Sequence, residues 1–491
     1  MSKVQKSAST SKPRKYVNTY TAFIVALCLY MPDQITSVSS KHLTISLKVP
    51  AKNTGLYLTK MYGTKTLANF IASLLMTIVQ MFVPADAWIS CTCLWAVGIA
   101  RLVLCVVYYL PNAAIWFYLV FIIHAFIRGL FENTFYPLAA DHQSAISFAY
   151  KASRMIVWCL QVGMDVVIGD RLTLLITLHM LLMLGVSSAA VVTWSKDFIT
   201  PPEQENEQGA TGAQQPTTTP AQTPVPEPVK KPIRYGAPNA LADENSFLSV
   251  AYRVYSPFLM VLVASPLTAF YRPGILPYSL VERRLCHPIT LSLMLYSFII
   301  TMCIYFYNKT DKSMNNPWGE PMNGWHKIWL FALLPCLAFP IIYSALHYPT
   351  GYTYKMLHNN RTNVTLLSML LITGSNVLTT MGFTGVSACS KDSKLKRGEN
   401  ALRIIVLASL LAQLFISCSY RLSTGYLMVR RRYIDEIANT APTEDMGWLD
   451  CLCFWVSSTL KQAGRDFLDE FSGNIRDIVM VDKKKGQQTA V

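Results

Sequence analysis

Apolar residues in this chain fall in long, nearly uncharged runs, and the charged residues gather between them. An apolar helix of about 20 residues crosses the hydrocarbon core of a bilayer. The pattern therefore predicts an all-α, multi-pass transmembrane helical bundle of about 11 spans. Six are expected in a first half, at 16–32, 66–85, 87–109, 113–135, 144–168 and 172–195. Five follow in a second half, at 254–271, 285–307, within 328–354, within 364–390, and at 404–420. Met31-Pro32-Asp33 reads as the end of the first span, because a proline interrupts the helical hydrogen-bond ladder.

The segments between and beyond the spans divide the chain further. A basic tail, 1–15, with Lys3, Lys6, Lys12, Arg14 and Lys15, precedes the first half, 16–195. The stretch 196–248 is rich in Pro, Thr, Gln and Glu and cannot bury a core, so it is expected to be a disordered cytoplasmic linker. The second half covers 249–421. A tail follows at 422–491, in which 448–460 has the amphipathic character of a helix lying at a membrane interface.

Composition agrees with this reading. The chain is 52% hydrophobic and only 14% charged, against about 25% charged in ordinary soluble domains. The net charge of +15 is assigned to loops facing anionic lipid rather than to nucleic acid, because it lies between the spans. With a cytoplasmic N-terminus the positive-inside rule fits most loops. Lys41, Lys48, Lys52, Lys60 and Lys65, read as one loop, run against it, as does Arg430-Arg431-Arg432. The twelve cysteines mostly sit in apolar runs or in C-x-C pairs without a closing second pair, so no metal and no cofactor are expected. Nucleophile-elbow, zincin and P-loop motifs are absent, and no enzyme activity is expected.

Polar residues recur inside the spans at helical spacing. Asn69, Ser73, Thr77 and Gln80 share one face of the second span, and Arg154, Trp158, Gln161 and Asp165 one face of the fifth. Thr373, Asn376, Thr380 and Thr384 line the tenth, and Ser409, Gln413, Ser417 and Tyr420 the eleventh. Arg128 and Glu132, four apart in the fourth span, are placed to pair. Each stripe alone can be packing glue between helices. Several together, two of them with charges nearby, point to a polar cavity.

Local segments also resemble the equilibrative nucleoside transporters. The residues that carry this are Leu371-Ile372-Thr373-Gly374-Ser375-Asn376 with Gly382-Phe383 and Lys391, then Pro340 in the ninth span. Tyr271-Arg272-Pro273-Gly274-Ile275 after the seventh and Gly129-Leu130-Phe131 with Pro137 in the fourth add to it. The order of six spans, a hydrophilic linker and five spans is similar as well. The eighth span departs from the family, lacking its Asp and Arg four residues apart. The resemblance implies a divergent member, of the kind found in protozoan parasites. It implies a major-facilitator-like 6+5 bundle that carries nucleosides or nucleobases across the plasma membrane by alternating access. Ser375 and Asn376 match the family motif as substrate-pathway residues. Gln80, Arg154, Trp158, Gln161, Asp165 and Gln413 join them from the stripes alone. The alternative is a non-transporting multi-pass surface or scaffold protein. Expected partners are the bilayer and a small solute, and no nucleic acid. Nothing in the sequence decides the oligomeric state.

Overall fold

The computed structural model describes residues 17–83, 87–139, 142–169, 171–199, 246–319, 324–348, 350–391, 398–436, 446–469 and 475. The basic N-terminal tail and nearly all of the predicted linker lie outside them. The first half holds α1 (Thr19–Val38), the short α2 (Ser40–Ser46), α3 (Thr54–Phe82), α4 (Ala87–Val107), α5 (Ala113–Leu138), α6 (Gln143–Ile168) and α7 (Leu172–Ile199). The second holds α8 (Phe247–Tyr271), α9 (Arg283–Thr310), α10 (Leu333–His347) behind a 3-10 stretch Gly324–Ala332, the short α11 (Tyr352–Leu357), α12 (Arg361–Cys389) and α13 (Glu399–Arg430). A last helix, α14 (Trp448–Leu468), follows. Ten segments among the described residues are long and apolar enough to cross a membrane. α6 has the length but carries Lys151, Arg154 and Asp165.

Helix ends follow local chemistry. Asn18, Ser246 and Asn360 accept backbone N–H groups at the starts of α1, α8 and α12, which satisfies donors that the first turn leaves free. Asn112 takes φ 59° in the turn between α4 and α5, a left-handed conformation that asparagine tolerates. Gly129 lets α5 lie directly on α3: a Cβ there would meet Asn69 O at 2.7 Å and Ala72 Cβ at 2.8 Å.

The predicted stop at Pro32 is wrong, and the reason is a buried arginine. α1 continues through Pro32 to Val38. Proline has no N–H to give the carbonyl four residues back, so the Cys28 carbonyl loses its intrahelical donor. Arg101, on α4 and 2% exposed, donates to that carbonyl at 2.6 Å, to Ser187 Oγ at 2.5 Å and to His124 Nε2 at 3.1 Å. The charge inside the third span is thereby hydrogen-bonded to the defect in the first.

α3 begins at Thr54, well before the predicted 66, because Lys60 and Lys65 are interior residues rather than loop charges. Lys60 is 1% exposed and pairs with Asp466 of α14 at 2.5 Å. Lys65 pairs with Asp33 of α1. Two of the five lysines that contradicted the positive-inside rule are therefore not in a loop. Likewise α13 runs on past 420 to Arg430, burying Arg421, Ser423 and Thr424.

Within the first half α3 packs on α5, α4 on α5 and α7, and α1 on α6 and α7; within the second, α8 packs on α12 and α13, and α12 on α9 and α10. The halves meet along α3 with α13 and along α6 with α9. With α2, α11 and α14 left aside, these are the second bundle helix with the eleventh and the fifth with the eighth. α14 packs on α13 at the end of the bundle opposite the start of α1. It is longer than the predicted 448–460 and carries Leu449, Val456, Leu460 and Phe467 on its exposed side.

Candidate functional site

The polar groups of the seam between the halves lie at two levels. Near the end that carries α2, Gln161 of α6 is fully buried. It donates through Nε2 to Asp165 Oδ1 at 2.7 Å and accepts from Ser39 Oγ at 3.0 Å. The other oxygen of Asp165 accepts from His287 Nε2, at the start of α9, at 2.7 Å. The His42 ring of α2 stands 4.2 Å from the His287 ring, centroid to centroid. Burial, with His287 beside it, holds the pKa of His42 down to about 4, so its imidazole is neutral.

About three turns further along α6, Arg154 donates to Ser297 Oγ of α9 at 2.8 Å and lies over the Tyr150 ring. Asn376 of α12 donates to the same Ser297 Oγ at 2.8 Å. One serine thus joins an arginine of the first half to an asparagine of the second. Tyr296 and Thr373 share a hydrogen bond at 2.8 Å nearby. Arg272, just past α8, lies within electrostatic reach of Tyr62, Tyr420, Tyr278 and Arg154. Its Nε is buried without a hydrogen-bond partner. Tyr62 of α3 and Tyr420 of α13 stack across the seam with centroids 6.0 Å apart. The partners of Arg154 among the described residues are neutral.

The fifth-span stripe thus has both of its charges met by α9, Arg154 through Ser297 and Asp165 through His287. Trp158, between them, packs partly buried against the apolar core. Gln413 on α13 has a buried Oε1 without a partner. The other predicted residues stand apart from the seam. Gln80 donates to the Asn133 carbonyl at 2.8 Å, tying α3 to α5 within the first half. Ser375 donates to the Ala264 carbonyl and accepts from Thr268, each at 2.5 Å, tying α12 to α8 within the second. Arg128 donates to Glu132 and to Asp33, each at 2.7 Å, inside the first half.

Residues that the sequence reading did not select are His42, His287, Ser39, Ser297 and Arg272. The signal for His287 was present: a histidine beside Pro288 at the start of a span. His42 and Ser39 sit in what reads as a loop, and their partners are more than a hundred residues away. A cavity of about 180 Å³ lies away from the seam. It lies among α8, α10, α13 and α14, with Tyr271, Phe339, Ile342, Leu452 and Trp455 in its wall, and is almost wholly apolar.

No protein-family model matches the chain, and no curated protein does. Among solved structures, the chain is similar to a mutant of the nucleoside transporter NupG, at 12% identity over 92% of this chain and 100% of that one, with a TM-score of 0.43. It is also similar to a D-xylose–proton symporter, at 10% identity over 90% of this chain and 96% of that one, with a TM-score of 0.52. At such identity the symporter speaks for the fold alone, and nothing in either structure supports a protozoan source. The chain is an integral, multi-pass membrane protein with a major-facilitator-like, all-helical bundle.

Proposed function

We propose that the protein is a facilitative transporter whose two halves rock about the α3–α13 and α6–α9 seam, exposing a central polar site to each side in turn. The observation that carries this reading is the Arg154–Ser297–Asn376 chain, which crosses from one half to the other in a major-facilitator-like bundle. Neutral-partnered groups of this kind can exchange each other for the hydroxyl and amide groups of a solute, at little net loss of hydrogen bonding. Nucleosides and nucleobases are the proposed solutes, from the resemblance at Ser375-Asn376 and the position of Trp158 for stacking a base. Arg154, Gln161, Asp165 and Asn376 are the proposed pathway residues, with Gln413 on the facing helix. Gln80 and Ser375 are proposed to hold helices within their halves. The plasma membrane is the proposed location.

One observation favours a second reading, a non-transporting scaffold. Asp466 of α14 binds Lys60 of α3 and Arg421 of α13 at once, and this clamp resists rocking.

Uptake of labelled nucleosides, nucleobases and sugars by cells delivering the chain to their surface separates the two. Transport predicts saturable uptake of at least one solute, reduced at least tenfold by Arg154→Gln and by Asn376→Ala, with Gln80→Ala close to the parent. Flat uptake across the panel, with delivery verified, supports the scaffold.

A further inference from the structure

We infer that His42, Asp165 and His287 form a binding site for a divalent transition-metal ion, of which zinc fits best, at one end of the seam between the two halves. Each of the three offers a ligand atom, and these atoms lie within 4.8 Å of one another. A tetrahedral zinc ion with bonds of about 2.0–2.1 Å holds its ligand atoms roughly 3.3 Å apart. Small side-chain rotations close that difference. Two imidazoles and one carboxylate leave a fourth position for water, and this donor set selects zinc over magnesium or calcium, which need more oxygens.

The second observation is the state of the ring nitrogens. His42 is 6% and His287 8% exposed, and Nδ1 of each is buried without a hydrogen-bond partner. A buried imidazole nitrogen without a partner forfeits the hydrogen bond that water would have given it. At His42 a metal ion would supply that missing partner. The hydrogen bond from His287 Nε2–H to Asp165 Oδ2 already sets two of the ligand atoms 2.7 Å apart, and the ion would take the place of its proton. The His42 ring, 4.2 Å from the His287 ring, has its own Nδ1 without a partner. Gln161 donates to the remaining carboxylate oxygen and orients Asp165, as outer hydrogen bonds commonly do around metal ligands.

The placement gives the ion a consequence. His42 and Asp165 belong to the first half and His287 to the second. A bound ion would hold α2 and α6 to α9 and keep the seam shut at this end. Local spacing could not reveal the site, because its ligands come from three separate elements.

The test uses full-length protein purified in detergent and stripped with a chelator. Zinc chloride is titrated in by calorimetry, and thermal unfolding is followed alongside. One saturable zinc per chain and a raised unfolding temperature are expected, with magnesium and calcium inert. His42→Gln and His287→Gln should each weaken binding at least tenfold, and Asp165→Asn likewise, whereas exposed His358→Gln should not. Monodisperse elution certifies the fold of each variant; should one aggregate, the other two carry the comparison. Absence of saturable binding in the parent overturns the site. So does zinc binding unchanged in the folded histidine variants, which would assign the ion to cysteines. None of these readouts depends on transport, so they stand apart from the uptake experiment.

Discussion

Asp466→Ala is expected to destabilise the folded protein by about 3–5 kcal/mol, the usual effect of removing one partner from a buried ion pair. Asp466 is 0% exposed and faces two cations, Lys60 at 2.5 Å and Arg421 at 3.3 Å. Without the carboxylate, two positive charges face each other in the bundle. Arg421 keeps its hydrogen bond to Thr64 at 2.9 Å, but a hydroxyl does not neutralise a guanidinium. The loss should appear as a lower unfolding temperature and a lower yield of monodisperse protein in detergent. Deleting residues 447–491 should do the same, because it removes the same carboxylate. Lys60→Met and Arg421→Met combined with Asp466→Leu should recover much of the loss, since a buried ionic triad is often replaceable as a whole by apolar residues of similar volume. An Asp466→Ala protein as stable as the parent would show that α14 does not anchor the bundle.

The second large effect is expected at Arg128. Asp33, Lys65, Arg128 and Glu132 form a balanced cluster of two acids and two bases inside the first half. Arg128→Ala removes the ion-pair partner of Glu132 and leaves Asp33 with Lys65 alone. The double change Arg128→Ala/Glu132→Ala removes one charge of each sign and leaves the Asp33–Lys65 pair in place. The single variant should therefore lose about 3–5 kcal/mol and the double variant clearly less. A double variant less stable than the single one would mean that Glu132 draws its stabilisation from a source other than Arg128. Asp33→Ala should resemble the single variant, as it strands Lys65 beside the guanidinium.

The long helices were legible in the sequence because hydropathy responds to the lipid that most of them touch. Their boundaries failed where charges are buried. Lys60, Lys65 and Arg421 look like loop residues in a hydropathy scan, yet each lies within a helix facing a partner on another. Pro32 looked like a stop because the donor replacing its missing N–H comes from Arg101 on another helix. In the candidate site, periodicity placed Arg154, Gln161 and Asp165 on one face. It could not say that α9 would meet that face, since Ser297 and His287 belong to no stripe of their own. Gln80 and Ser375 show the converse. Helical spacing groups polar residues without telling a seam from an intrahalf packing contact. Their partners, the Asn133 and Ala264 carbonyls, are backbone atoms and leave no trace in the sequence.

The central claim is that the two halves rock about the seam. Its most direct test is the distance between spin labels placed on opposite halves at each end of the bundle, in protein whose native cysteines have been replaced. Exposed Lys52 and Thr362 serve at the end that carries α2, and exposed Trp88 and Leu248 at the other. Alternating access predicts at least two distances for each pair, with the populations shifting in opposite directions at the two ends when conditions or a solute favour one state. A single, unchanging distance at both ends, in folded protein reconstituted in lipid and exposed to the whole solute panel, would contradict the account.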